Sequence, residues 1–164
     1  MLTEGDAAPD FILPGTDGEE VREYMLAEHT RRGPVVLAFY LFDFHPACTE
    51  ELCALRDLDW FTVLPDTTVL AISTDSAFSH RAFAREYGVE YPLLSDSDGA
   101  VSHRYGVLYD EFAGHRDVSK RALFVVDRET KVRFAWAADD PRELPDWDAV
   151  RDVLDDLSAG DGAR

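Results

Sequence analysis

The chain has 164 residues, and 46% of them are apolar, enough for one domain with a substantial core. Its 33 acidic residues against 16 basic ones give a formal net charge of −17, which repels nucleic acid and anionic membranes and argues against both as partners. No stretch approaches the roughly 18–20 apolar residues of a membrane-spanning helix, and the opening Met1-Leu-Thr-Glu-Gly-Asp6 lacks the basic-then-apolar pattern of a secretory signal, so a cytoplasmic protein is expected.

In chain order, Phe11-Ile-Leu13 is a short apolar run stopped by Pro14-Gly15, and Thr16-Asp-Gly18 is a turn. Together with a second strand and a helical turn within 19–30, this predicts a small N-terminal hairpin. Val35-Val-Leu-Ala-Phe-Tyr40 reads as a buried strand. A short loop, 41–46, follows, and a helix is predicted over 47–63, with Leu52, Leu55 and Val63 on one face beside Trp60 and Phe61. Residues 67–73 make a second core strand. Asp75-Ser76 can cap a helix over 77–87 that Gly88 closes. A short extended piece over 91–95 and a short helix over 100–105 come next. Residues 107–119 are polar and contain Gly114, which predicts a loop. Two strands, 121–127 and 131–137, form an antiparallel hairpin. An amphipathic helix over 147–157 closes the chain, with residues 159–164 as a flexible tail. The fold class is α/β with a central mixed sheet flanked by helices, in a single domain over 1–158.

The only two cysteines, Cys48 and Cys53, fall in the first turns of the helix that follows the first core strand. A thiol there meets unpaired backbone N–H groups and the positive end of the helix dipole, and both favour thiolate. Cys48 is therefore the candidate nucleophile. Cys53 lies five residues on, a rise of about 7.5 Å on an ideal helix, beyond the Cα separation of about 6.8 Å that a disulfide spans. The two cannot pair while the helix is intact, and a small core residue is the competing reading for Cys53. Arg121 opens an apolar strand and can aim its guanidinium at the loop ending the neighbouring strand, where it would lower a thiol pKa and hold an oxygen substrate. His45, three residues before Cys48, can accept or donate a proton beside it; a solvent-facing loop histidine is the alternative. His45, Cys48 and Cys53 match no common zinc spacing, and neither metal nor cofactor is expected. Asp43 and Glu51 are expected to be solvated, and His29, His80, His103 and His115 to lie on the surface.

These segments together resemble the peroxiredoxin (AhpC/TSA) family over residues 4–157. Gly5-Asp-Ala-Ala-Pro-Asp-Phe11 is similar to its opening. Val35 to Tyr40, Ile72-Ser-Thr-Asp-Ser76, Tyr91-Pro-Leu-Leu-Ser-Asp96 and Arg121-Ala-Leu-Phe-Val-Val-Asp127 match its successive core segments. Cys48-Thr-Glu-Glu-Leu-Cys53-Ala-Leu-Arg-Asp57 resembles the bacterioferritin-comigratory-protein subgroup. The family's motif of Pro, three residues, Thr or Ser, two residues and Cys departs here at two places, with Leu41 for the proline and His45 for the hydroxyl residue.

The resemblance implies a thioredoxin-like fold and reduction of hydrogen peroxide or organic hydroperoxides. It implies Cys48 as the peroxidatic cysteine, Cys53 as the resolving cysteine and Arg121 as the activating arginine. A thioredoxin- or glutaredoxin-like protein would be the reductant, and the chain would be a monomer or a homodimer. A redox sensor or a thiol–disulfide oxidoreductase with little peroxide turnover is the alternative function.

Overall fold

The computed structural model describes residues 1–58, 64 and 66–162. Its main sheet has seven strands: β1 (Ile12–Thr16), β2 (Val21–Met25), β3 (Val35–Phe39), β4 (Thr68–Ser73), β5 (Leu93–Ser95), β8 (Ala122–Val126) and β9 (Val132–Ala137), in the order β2-β1-β5-β4-β3-β8-β9. Two further strands, β6 (Leu108–Phe112) and β7 (His115–Ser119), form a separate hairpin. The helices are α1 (Leu26–Thr30), α2 (Pro46–Asp57), α3 (Ala77–Tyr87), α4 (Ala100–Arg104) and α5 (Trp147–Gly162).

Strands β3, β4 and β5 run parallel, joined by crossovers through α2 and α3. β1 pairs antiparallel to β5, and β8 antiparallel to β3 and β9. The sheet is thus mixed, as expected. Every residue of β3 and β8 is buried, because a central strand covered on both faces needs apolar side chains on both. Alternate residues feed two cores. Val36, Ala38 and Tyr40 meet Leu52 and Leu55 of α2, Phe83 of α3 and Val150 and Leu154 of α5. Val35, Leu37 and Phe39 meet Phe11, Leu26, Val101 and Tyr105 on the opposite face.

Several expectations need correction. β1 runs through Pro14-Gly15 rather than stopping there. The stretch 107–119 is not a loop but the β6–β7 hairpin. Its two-residue connection, Ala113-Gly114, has φ of 50° and 81°, the paired positive values of a tight hairpin turn. α2 ends at Asp57, and the apolar face predicted at Trp60, Phe61 and Val63 lies outside the described residues. α5 continues past Leu157 to Gly162, so residues 159–162 are helical. The predicted cap and stop of α3 both hold: the Ser76 side chain accepts from the Ser79 N–H, and Gly88 is left-handed at φ 64°.

Candidate active site

The end of β3 feeds the loop 41–46, and α2 starts directly after it. His45 is the N-cap, with the extended backbone (φ −65°, ψ 127°) that a residue before proline adopts. Pro46 takes the first helical position, where its missing N–H costs nothing. Cys48 therefore sits in the first turn, fully buried, while Cys53 is partly exposed one and a half turns on. Both thiols are free. An unbroken helix runs through both positions, so the geometric bar to their pairing applies to this structure.

β8 runs antiparallel to β3, with Ala122 opposite Phe39. This pairing carries Arg121, the residue before Ala122, to the end of β3 where the cysteine loop begins. Arg121 is fully buried. Its Nη1 donates to the Glu143 carbonyl at 2.6 Å. Its Nε lies 3.0 Å from Glu51 Oε2, but the approach is not aligned as a hydrogen bond. Nε, Nη2 and both Glu51 oxygens have no hydrogen-bond partner among the described residues. Glu51, one turn after Cys48, was expected in solvent and is instead 1% exposed.

Burial raises the Cys48 thiol pKa; the N–H groups of Phe42 and Leu41 pull it down, Glu51 pushes it up and Arg121 pulls it down. Desolvation prevails, so the lowering expected from the helix start does not set the direction in this closed form. Burial also drives Glu51 up to about 8 against the pull of Arg121. One buried cation thus faces two acids that compete for its charge. His45 is lowered, first by burial and then by the Arg121 charge. Its ring is neutral near pH 7, with Nδ1 buried and unpartnered among the described residues. Leu41 is fully buried at the start of the loop.

Cys48 and His45 both feel the Arg121 charge, while Cys53 lies partly exposed further along α2. Cys53 acts electrostatically on Arg56 and Tyr91, which border a cavity of about 320 Å³. The hairpin missed in the sequence covers the site: Phe112 meets His45 edge-on at 6.3 Å, and His115 lies 4.9 Å from Phe42. Phe44, in the same loop, has φ 66° and stacks edge-on against Phe83.

Residues 4–135 match the AhpC/TSA family model. The chain belongs to that family. A relative from Coxiella burnetii whose name assigns it to the bcp peroxiredoxins is 36% identical over 135 residues, covering 80% of this chain and 86% of its own. Chloroplastic peroxiredoxin Q of Triticum aestivum is 33% identical over 135 residues, 82% of this chain and 59% of the relative. The crystal structure of peroxidoxin BcpB from Mycobacterium tuberculosis superposes with a TM-score of 0.79 at 32% identity, covering 97% of this chain and 98% of that one. The AhpC/TSA membership makes the chain a thiol-dependent peroxidase, and its mixed sheet has the thioredoxin-like arrangement of these neighbours. No helix among the described residues is long and apolar enough to cross a membrane.

Proposed function

We propose that Cys48 is the thiol that reduces the peroxide, that Arg121 and His45 serve it, and that Cys53 resolves the product. The observation carrying this is the buried Arg121 guanidinium, two of whose nitrogens have no hydrogen-bond partner among the described residues while Cys48 feels its charge. Those N–H groups suit a peroxide oxygen, and they gain strength in a dry site as charge develops on the leaving oxygen.

The Cys48 sulfur attacks the terminal peroxide oxygen. The S–O bond forms and the O–O bond breaks. Sulfur loses two electrons, and the leaving oxygen departs as water or an alcohol after taking up the proton that the thiol gave. Neutral His45 can hold that proton between the two events, standing where the family has a hydroxyl residue. The first turns of α2 then unwind. The Cys53 thiolate attacks the Cys48 sulfenic sulfur, hydroxide leaves and is protonated, and a disulfide forms. A thioredoxin- or glutaredoxin-like dithiol reduces it by exchange. This chemistry belongs in a reducing compartment such as the cytoplasm, where thiols are redox groups rather than staples.

Mass spectrometry after one equivalent of hydrogen peroxide tests the assignment. The expected product is a Cys48–Cys53 disulfide in the wild type and a Cys48 sulfenic acid in Cys53→Ser. Peroxide consumption retained by Cys48→Ser overturns it.

A further inference from the structure

A second buried polar cluster lies on the other side of the cysteine loop, and the scheme above does not use it. His80 of α3 and Asp43 of the loop are both buried, His80 completely, although both were expected in solvent. His80 Nδ1 lies 2.8 Å from Asp43 Oδ2 and 3.0 Å from Oδ1. Its Nε2 lies 2.9 Å from the Leu94 carbonyl of β5. A carbonyl only accepts, so Nε2 carries a proton. Tyr40 at the end of β3 donates to Asp43 Oδ1 at 2.7 Å, and the Ser79 hydroxyl donates to Oδ2 at 2.7 Å. The Tyr40 hydroxyl also lies 3.1 Å from His80 Nδ1, so the carboxylate, the ring and the hydroxyl form one connected cluster. The Asp43 N–H in turn donates to Asp75 Oδ2 at 2.7 Å. The loop is thereby tied, through one residue, to β3, to α3 and to the turn that precedes it.

That residue adjoins the peptide units that serve the thiol. The backbone N–H groups of Phe42 and Leu41 pull the Cys48 thiol pKa down, and Asp43 follows Phe42 directly. We propose that Asp43 and His80 form a positioning pair that holds the loop 41–46 in the arrangement in which Cys48 attacks peroxide, and that must let go before Cys48 can reach Cys53. The pair touches neither substrate nor sulfur, and it acts through the loop backbone. This rests on Cys48 being the peroxidatic thiol. The charged and titratable groups facing His80 are Asp43 from the loop, Tyr40 from β3, Asp75 from the turn before α3, and His115 from β7 through its effect on Asp75.

Rapid mixing of the reduced full-length protein with hydrogen peroxide separates oxidation of Cys48 from the later disulfide step by tryptophan fluorescence. Asp43→Asn and His80→Asn are expected to slow the first phase about 10- to 100-fold without slowing the second, because misplaced donors cost rate in the chemical step alone. The double variant should be no slower than the worse single one, since the two act as a unit. Ser79→Ala and Tyr40→Phe each delete one bond to Asp43 and keep the pair, and should slow the first phase about two- to fivefold; they carry the test if the others do not fold. A first phase within twofold of wild type in all folded variants, or equal slowing of both phases, overturns the pair. Run alongside, Cys48→Ser should lose the first phase. If it does, an unaffected Asp43→Asn refutes the pair alone; if Cys48→Ser still reacts, the Cys48 assignment falls first and the pair with it.

Discussion

Two buried pairs of ionisable side chains adjoin the loop 41–46, and they are built differently. Between Arg121 and Glu51 the side chains approach to 3.0 Å, yet two guanidinium nitrogens and both carboxyl oxygens lack hydrogen bonds among the described residues. Between Asp43 and His80 every side-chain acceptor and both ring nitrogens are engaged. A buried polar group left without partners costs about 1–3 kcal/mol. A site that bears such a cost is arranged for something that arrives later, whereas a satisfied network fixes shape. On the proposed assignment the first pair is the working end of the molecule and the second is its frame.

The largest expected break in this contrast is Arg121→Gln, which should lower the rate of Cys48 oxidation by about 100- to 1,000-fold in rapid mixing, the usual loss when a developing oxyanion loses its donor. Cys53→Ser comes next. It should leave the first phase within twofold while abolishing the Cys48–Cys53 disulfide seen by mass spectrometry, and recycling by a dithiol protein should fall with it.

Glu51→Gln should act through pH. The folded-state pKa of Glu51 is pushed up to about 8, while an unfolded chain releases that proton near 4.5. Between those values the folded state holds the proton more tightly, so wild-type stability falls as pH rises from about 4.5 to 8. Denaturant melts at pH 5, 7 and 9 should show that slope in the wild type and a flatter one in the variant. A neutral side chain at position 51 also leaves Arg121 to the sulfur, so the Cys48 thiol of the variant should titrate lower by alkylation kinetics.

His45→Gln should have the smallest effect, a loss of about two- to tenfold in Cys48 oxidation, the worth of one hydrogen bond. The His45 pKa is lowered by burial and by Arg121, so its ring protonates only below the usual histidine range. The wild-type rate should fall through that acid limb, and the variant should lack it.

The scaffold of strands and helices was largely legible in sequence because it rests on local patterns. Apolar runs marked β3, β4 and β8, and Ser76 and Gly88 marked the ends of α3. Cys48 stood out as a thiol in the first turn of the helix after a core strand, and Arg121 as a charged residue opening an apolar strand. What escaped depends on partners far along the chain. Glu51 looks like any acidic helix residue in a chain of net charge −17, and only Arg121, brought across β3 by strand pairing, gives it a reason to be buried. Asp43 and His80 are 37 residues apart, and each alone reads as a surface residue. The β6–β7 hairpin was hidden by its polar composition, since its burial is confined to a few side chains such as Val118 and Ser119.

Phe44 bears on how the two halves of the reaction share one loop. A bulky L-residue at φ 66° sits in a region that costs of order 1–3 kcal/mol. That cost is incurred only while the loop is folded as described, with the Phe44 ring against Phe83. Once sulfenic acid forms and α2 opens, the backbone at residue 44 can return to an ordinary conformation and release it. Each 1.4 kcal/mol released is a tenfold bias towards the opened form, so the loop works as a tensioned spring that the Asp43–His80 contact latches. Hydrogen exchange across 41–50 should accelerate more in wild type than in Phe44→Gly when Cys48 is oxidised, because glycine holds no tension there.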